Sequence, residues 1–219
     1  SEGLRQWQKP VLTLFAAIPL MVVNAGTSTM LVPFFGHVNF GVLYPLLLIP
    51  LGVVGASNMV NMLAGYNGLE SGLALVYFGN LGLYALAHER HLAAYFCLAL
   101  FVSLLAFYLL NKYPAKILPG DSLTYLIGAG LVVVAVVGNI EKAALIVSLP
   151  FFVEFVLKLR GRLNVKTYGY LKDGKIYSFY THIYSLPHLF ARMGKFTERQ
   201  ITFFFMLAEL LVSSLIWVL

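Results

Sequence analysis

Charge is scarce in this chain. Only 11% of its 219 residues are Asp, Glu, Lys or Arg, against roughly 25% in a soluble domain. With 60% hydrophobic residues and a mean hydropathy of +0.83, there is too much apolar surface for a water-soluble globule to hide. Cysteine is almost absent. The single Cys97 sits inside an apolar run, which excludes an intramolecular disulfide and points to packing rather than thiol chemistry. No long-period repeat and no low-complexity tract interrupts the chain. The polar opening, Ser1 to Pro10, lacks a small-residue cleavage site and leads into one apolar segment after another, so it does not read as a secretory signal peptide.

What is present is a series of apolar runs, at about 10–26, 41–57, 71–88, 91–111, 123–138, 141–158 and 200–219. Each is long enough, or nearly so, to carry a helix across about 30 Å of hydrocarbon. The expected fold is therefore an all-α polytopic membrane protein, one domain over 1–219 with seven transmembrane helices. Threading with 1–9 in the cytoplasm makes 58–70, 112–122 and 159–199 cytoplasmic, and 27–40, 89–90 and 139–140 external. Of the 15 basic residues, only Arg90 and Lys142 then fall at external ends, as the positive-inside rule requires. The carboxy terminus is placed outside. The net charge of +6 is accounted for by the cytoplasmic face, and no nucleic acid is implied.

Two connections carry strand signals. Segment 27–40 is rich in β-branched and aromatic residues around Pro33 and Gly36 and reads as a short extended or hairpin element at the external interface. In the long loop 159–199, Tyr168 to Leu171 and Lys175 to Tyr180 flank Asp173-Gly174, the pattern of a tight β-hairpin. Ser185 to Phe196 follows, with Leu186, Leu189, Phe190 and Met193 at helical spacing, and reads as an amphipathic helix on the membrane surface.

Chemistry-bearing residues gather in three connections. In Asn58-Met-Val-Asn61-Met-Leu-Ala-Gly65-Tyr-Asn67-Gly68-Leu-Glu70, Asn58 and Asn61 share a helix face, and Gly65 and Gly68 would let backbone amides approach a ligand. A helix-capping turn is the competing explanation. In Lys112 to Ser122, Asp121 and Ser122 suit a helix N-cap. Asp121 equally suits Mg²⁺, with Asn61 offering a carbonyl oxygen if the two loops meet. Lys158, Arg160, Arg162 and Lys166 form a basic cluster, fitted either to anionic lipid or to a diphosphate. Glu154 and Glu209 lie within apolar runs, where a carboxylate must face the bundle interior. Glu154 can also pair with Lys158 one turn on.

These residues resemble a known family, the polyprenyl-phosphate N-acetylhexosamine-1-phosphate transferases, in particular the eukaryotic- and archaeal-type UDP-N-acetylglucosamine–dolichyl-phosphate transferases. The resemblance rests on Asn58-x-x-Asn61-x-x-Ala64-Gly65-x-Asn67-Gly68-Leu69-Glu70, Pro119-Gly120-Asp121-Ser122, Gly161-Arg162-Leu163-Asn164-x-Lys166 and Glu198-Arg199-x-x-Thr202. It implies the last seven helices of a ten-helix bundle, with a nucleotide sugar, Mg²⁺ and a lipid phosphate at the cytoplasmic face. Carried over by motif, Asn61 and Asp121 would ligate Mg²⁺, Gly65 and Asn67 would hold uracil, and Lys9 would neutralise the diphosphate. Asn58 and Glu70 would complete the nucleotide loop, and Arg162, with Lys158 and Arg160, would contact sugar and phosphates. Leu118 stands where relatives place an aromatic beside the uracil.

The same resemblance places an adjacent Asp pair and three helices ahead of the Leu4-Arg5…Lys9 segment, so the expectation is the carboxy-terminal part of a larger transferase. The reaction implied moves N-acetylglucosamine 1-phosphate, or that of a related aminosugar, from a UDP-sugar to polyprenyl or dolichyl phosphate. An inactive fragment, a transporter and a non-catalytic scaffold are the alternatives. Transporter sites lie near the bilayer midplane, whereas Asn58 to Glu70 and Asp121 fall at its cytoplasmic boundary. The sequence leaves the aminosugar, the lipid length and a homodimer open.

Overall fold

A computed structural model describes residues 8–32 and 36–218. Leu4 and Arg5, and Pro33 of the external element, lie outside them.

The chain runs back and forth between two rims. Among the described residues, five continuous helical stretches are long and apolar enough to cross a membrane: Tyr44–Leu63, Leu69–Ala87, His91–Asn111, Gly120–Gly138 and Glu198–Trp217. They contain α3 (Ile49–Leu63), α4 (Leu69–Ala87), α5 (His91–Asn111), α6 (Gly120–Gly138) and α10 (Glu198–Ser214). The other two apolar runs are helical but broken, and in both the break coincides with a proline. The first is α1 (Gln8–Leu14) and α2 (Ile18–Val22), with Pro19 opening α2. The second is α7 (Glu141–Val147) and α8 (Leu149–Arg160), with Pro150 just past the joint at Ser148. A proline within a helix lacks the amide that would bond the preceding turn. Pro45 likewise opens a π-helical turn, Tyr44–Leu48, that leads into α3.

Helix α4 is the most buried of the spans, and α5 shields one side of it with much of its own surface outward. Its Leu73, Tyr77, Phe78 and Leu81 join Ile127, Phe151 and Ile201 in the main core. A smaller core unites α1–α2, the π-helical turn, α3 and α6. Helices α3 and α6 meet backbone to backbone, because a β-carbon at Gly128 would collide with Ala56 and Ser57. Ser57 Oγ donates to the Tyr125 carbonyl at 3.1 Å across that seam.

Both expected strand pairs form. Strands β1 (Thr29–Val32) and β2 (Gly36–Asn39) pair antiparallel on one rim. Strands β3 (Tyr170–Lys172) and β4 (Lys175–Tyr177) pair on the other. Asp173 and Gly174, at φ +50° and +73°, turn the second hairpin through two left-handed residues, the conformation Asp-Gly favours. The amphipathic helix expected over 185–196 is corrected. Only His188–Ala191, α9, is helical. Pro187 starts that turn, and Gly194 reverses the chain against the Tyr177 ring, where no side chain fits. Phe190 packs inward on Phe196, Phe204 and Phe205.

Candidate active site at the polar rim

The end of α3, the start of α6 and the start of α1 converge. Thr124, one turn into α6, is the joint: its Oγ1 lies 2.9 Å from Asn61 Oδ1 and 2.9 Å from the Asp121 carbonyl. Asn61 Nδ2 also reaches the Tyr125 hydroxyl at 3.4 Å. Lys9 Nζ closes the group with an ion pair of 2.6 Å to Asp121 Oδ2. That contact holds the Lys9 ammonium above its ordinary pKa, chiefly through the hydrogen bond to the Asp121 carboxylate. Asn61, Asp121 and Lys9 thus meet, although 52 and 60 residues separate them in sequence order.

The loop ahead of Asp121 is positioned from inside. Buried Asn111 accepts from Ser71 Oγ at 2.7 Å and donates to the Ile117 carbonyl at 2.9 Å. Leu118 beyond it is 73% exposed. Gly68, left-handed at φ +76°, opens α4 and packs 3.1 Å from Lys112 Cα as judged by the place of a β-carbon. The turn 64–68 and the loop 112–119 therefore share an edge.

Two amides of the turn itself are taken by carboxylates. Gly65 N donates to Glu70 Oε1 at 2.8 Å, and Asn67 N donates to Glu198 Oε1 at 2.6 Å. Two carboxylates, from α4 and α10, thus fix this turn by its backbone. Asn58 Nδ2 returns to the Val54 carbonyl of its own helix at 2.7 Å. Tyr66 accepts from Gly169 N at 3.1 Å, and burial pushes its hydroxyl up to about 12. Tyr168, 44% exposed, lies against Gly65 with the Lys166 ammonium over its ring.

The basic cluster divides. Arg160 and Arg162 are exposed, and Arg162 and Leu163 both take left-handed backbone, φ +54° and +58°. Lys158 is turned inward at 6% exposure. Its ammonium donates to the Val165 carbonyl at 2.8 Å and Thr167 Oγ1 at 2.7 Å, and stands 3.8 Å from Glu154. Its ammonium is tied to the fold in this structure. Glu154 in turn accepts from Ser185 Oγ and Leu186 N, each at 2.7 Å. Sequence reasoning missed Thr124, Asn111 and Tyr168; Glu198 and Thr202 were noted as motif members without a role.

Beneath this rim, a groove of about 370 Å³ runs between α3, α6 and α7–α8. Leu51, Gly52, Gly55, Leu131, Val132 and Phe152 give it apolar walls. Tyr44 donates to Glu141 at its far end, and Met59 and Val60 line the end next to Asn61.

No cluster of three or more His, Cys, Asp or Glu side chains exists among the described residues. The Asn61 amide oxygen and the Asp121 carboxylate are hard donors on one rim, a fit in kind and place to a cation that completes its shell with water and phosphate.

Comparison with known proteins gives the family. The pattern of glycosyl transferase family 4 matches residues 2–139. A Saccharolobus solfataricus protein, provisionally named a UDP-N-acetylglucosamine–dolichyl-phosphate N-acetylglucosaminephosphotransferase, is 37% identical over 202 residues, 91% of this chain and 62% of its own length. A Sulfolobus acidocaldarius protein of the same provisional name is 32% identical over 97% of this chain and 66% of its own. A Lactobacillus helveticus phospho-N-acetylmuramoyl-pentapeptide-transferase is 30% identical over 76% of this chain and 52% of its own. The chain thus spans about two thirds or less of the length of these relatives. With its family pattern covering more than half of the residues, this chain belongs to glycosyl transferase family 4.

Proposed function

We propose that the protein transfers N-acetylglucosamine 1-phosphate, or the 1-phosphate of a related aminosugar, from its UDP derivative to a polyprenyl or dolichyl phosphate. The observation that carries this is the meeting of Asn61, Asp121 and Lys9 at the head of an apolar groove. The polar rim faces the cytoplasm, where the nucleotide sugar is found, and the carboxy terminus lies outside. The groove takes the first isoprene units of the lipid and brings its phosphate to the rim.

A phosphate oxygen of the lipid attacks the sugar-linked phosphorus. A new P–O bond forms, the anhydride bond to the inner phosphate breaks, and UMP departs with that electron pair. The lipid phosphate is already largely ionised near neutrality, its second pKa being about 6, so no strong general base is required. Asn61 and Asp121 are the residues that would hold Mg²⁺, which when bound supplies positive charge to the phosphate oxygens. Lys9 stands beside Asp121 to meet the charge that builds on the leaving phosphate. Exposed Arg160 and Arg162 engage the sugar and phosphates. Asn67 and Gly65 lie where the uracil rests, and Glu70 fixes the turn that carries them.

The test is UMP release from UDP-N-acetylglucosamine in membranes containing the natural gene product, with polyprenyl phosphate supplied. Release should require Mg²⁺ and the lipid, and fall at least about a hundredfold in Asp121→Ala. Release that is indifferent to all three would overturn the reading.

A further inference from the structure

The first turn of α10 carries Glu198, and the ordinary reason for an acid there is the helix N-terminus. That role is already filled. Thr197 accepts from Gln200 N at 3.3 Å while Gln200 Oε1 accepts from Thr197 N at 3.0 Å, a complete capping box. Glu198 reaches instead to a residue 131 positions away, accepting from Asn67 N at 2.6 Å. One helical turn on, buried Thr202 donates its hydroxyl to the Asn67 carbonyl at 3.2 Å. Residues four apart share a helix face, so one face of α10 grips both backbone polar atoms of Asn67.

The grip falls on a segment that needs one. Gly65 and Gly68 both sit at positive φ, +151° and +76°, and glycine loses the most conformational freedom on ordering. Glu70 holds the Gly65 end from α4. The Asn67 end is held from α10, and the Asn67 side-chain amide has no hydrogen-bond partner among the described residues, so its backbone is fixed while its side chain is presented. Holding a binding turn in its bound shape removes an entropic cost that the ligand would otherwise meet.

We infer that Glu198, with Thr202, is a positioning residue that sets the turn 64–68 for the uridine nucleotide through the backbone of Asn67. The inference rests on the nucleotide site proposed above.

The experiment measures UDP affinity of the purified protein by calorimetry, thermal stability, and hydrogen exchange of the 64–70 segment without ligand. Glu198→Ala should weaken UDP binding roughly tenfold, the effect of one lost charge-assisted hydrogen bond, and speed exchange in 64–70. Glu198→Gln, which keeps an acceptor oxygen, should stay near wild type. Thr202→Val should weaken binding and Thr202→Ser should restore it. Thr197→Ala should lower thermal stability with UDP affinity intact, separating the cap from the grip. Normal UDP binding by wild type with unchanged affinity and exchange in Glu198→Ala would overturn this inference alone. Failure of wild type to bind UDP would overturn the nucleotide site and this inference together, with the exchange data reporting whether the grip itself exists.

Discussion

Replacing Lys158 by methionine separates two meanings of a basic cluster. The side chain keeps its approximate volume and loses its charge at a position 6% exposed. Two short charge-assisted hydrogen bonds disappear, to the Val165 carbonyl at 2.8 Å and to Thr167 Oγ1 at 2.7 Å. Each such bond contributes about 1.5–3 kcal/mol. The Glu154 contact, at 3.8 Å, is the weaker part, and Glu154 retains its donors from Ser185 and Leu186. The Val165 carbonyl loses the ammonium, while Thr167 still donates to the Met62 carbonyl at 2.9 Å. The net loss should be about 3 kcal/mol, near the lower end for breaking a buried charged group's partners. In detergent, thermal unfolding should come earlier and limited proteolysis should open the 161–169 segment first. Arg162→Ala should do the reverse, with unfolding unchanged and UDP-sugar affinity reduced. A Lys158→Met protein of wild-type stability that binds the nucleotide sugar poorly would refute the assignment of Lys158 to the fold.

Asp121→Asn should raise the Mg²⁺ concentration needed for half-maximal UMP release at least about tenfold, read from a metal titration, with the protein's thermal stability nearly unchanged. Gly128→Leu should cost roughly 3 kcal/mol or more by forcing α3 and α6 apart, seen as loss of folded protein in detergent. His188 gives a pH dependence. Its two ring nitrogens lie 2.9 Å from the Lys166 carbonyl and 3.3 Å from Tyr184 N, partners that suit the neutral ring, and burial holds its pKa below 6.5. The depressed value makes its stabilisation complete above pH 6.5 and lost as pH falls from there through the folded pKa. Amide protection factors over 180–192, taken against the intrinsic exchange rate at each pH, should therefore fall on acidification, and factors that stay flat would refute it.

The traverses were legible because hydropathy is a local signal. Each of the seven apolar runs is a helical segment, and Pro19 and Pro150, visible in the sequence, mark the two breaks. Asp173-Gly174 announced its hairpin for the same reason: the turn's requirement for positive φ lies in the two residues themselves. The amphipathic helix over 185–196 misled because periodicity does not weigh Pro187 and Gly194, which confine the helix to one turn. The site was legible in composition but not in partnership. The pairing of Glu154 with Lys158 follows from their spacing. The dominant Lys158 partners, Val165 and Thr167, follow only from the loop folding back. Glycines at 65 and 68 signalled an unusual turn, yet which groups take its amides depends on Glu198, far along the chain.

Energetics divides the polar residues into two sets, and the division bears on function. Asn111, Glu154 and Lys158 are buried and tied by short bonds, so they are where polar interactions stabilise the fold. The Lys9–Asp121 pair is different in kind. At 2.6 Å its geometry is good, but the Asp121 side chain is 50% exposed, and solvent-exposed pairs contribute about 1 kcal/mol or less. Arg160 and Arg162 are exposed, whereas Lys158 is buried. Stability alone therefore gives little reason to gather Lys9, Asp121 and Asn61 around Thr124. A site for polyanionic substrates does give one, because charges left partly in solvent can exchange each other for phosphate and metal without unfolding anything beneath them.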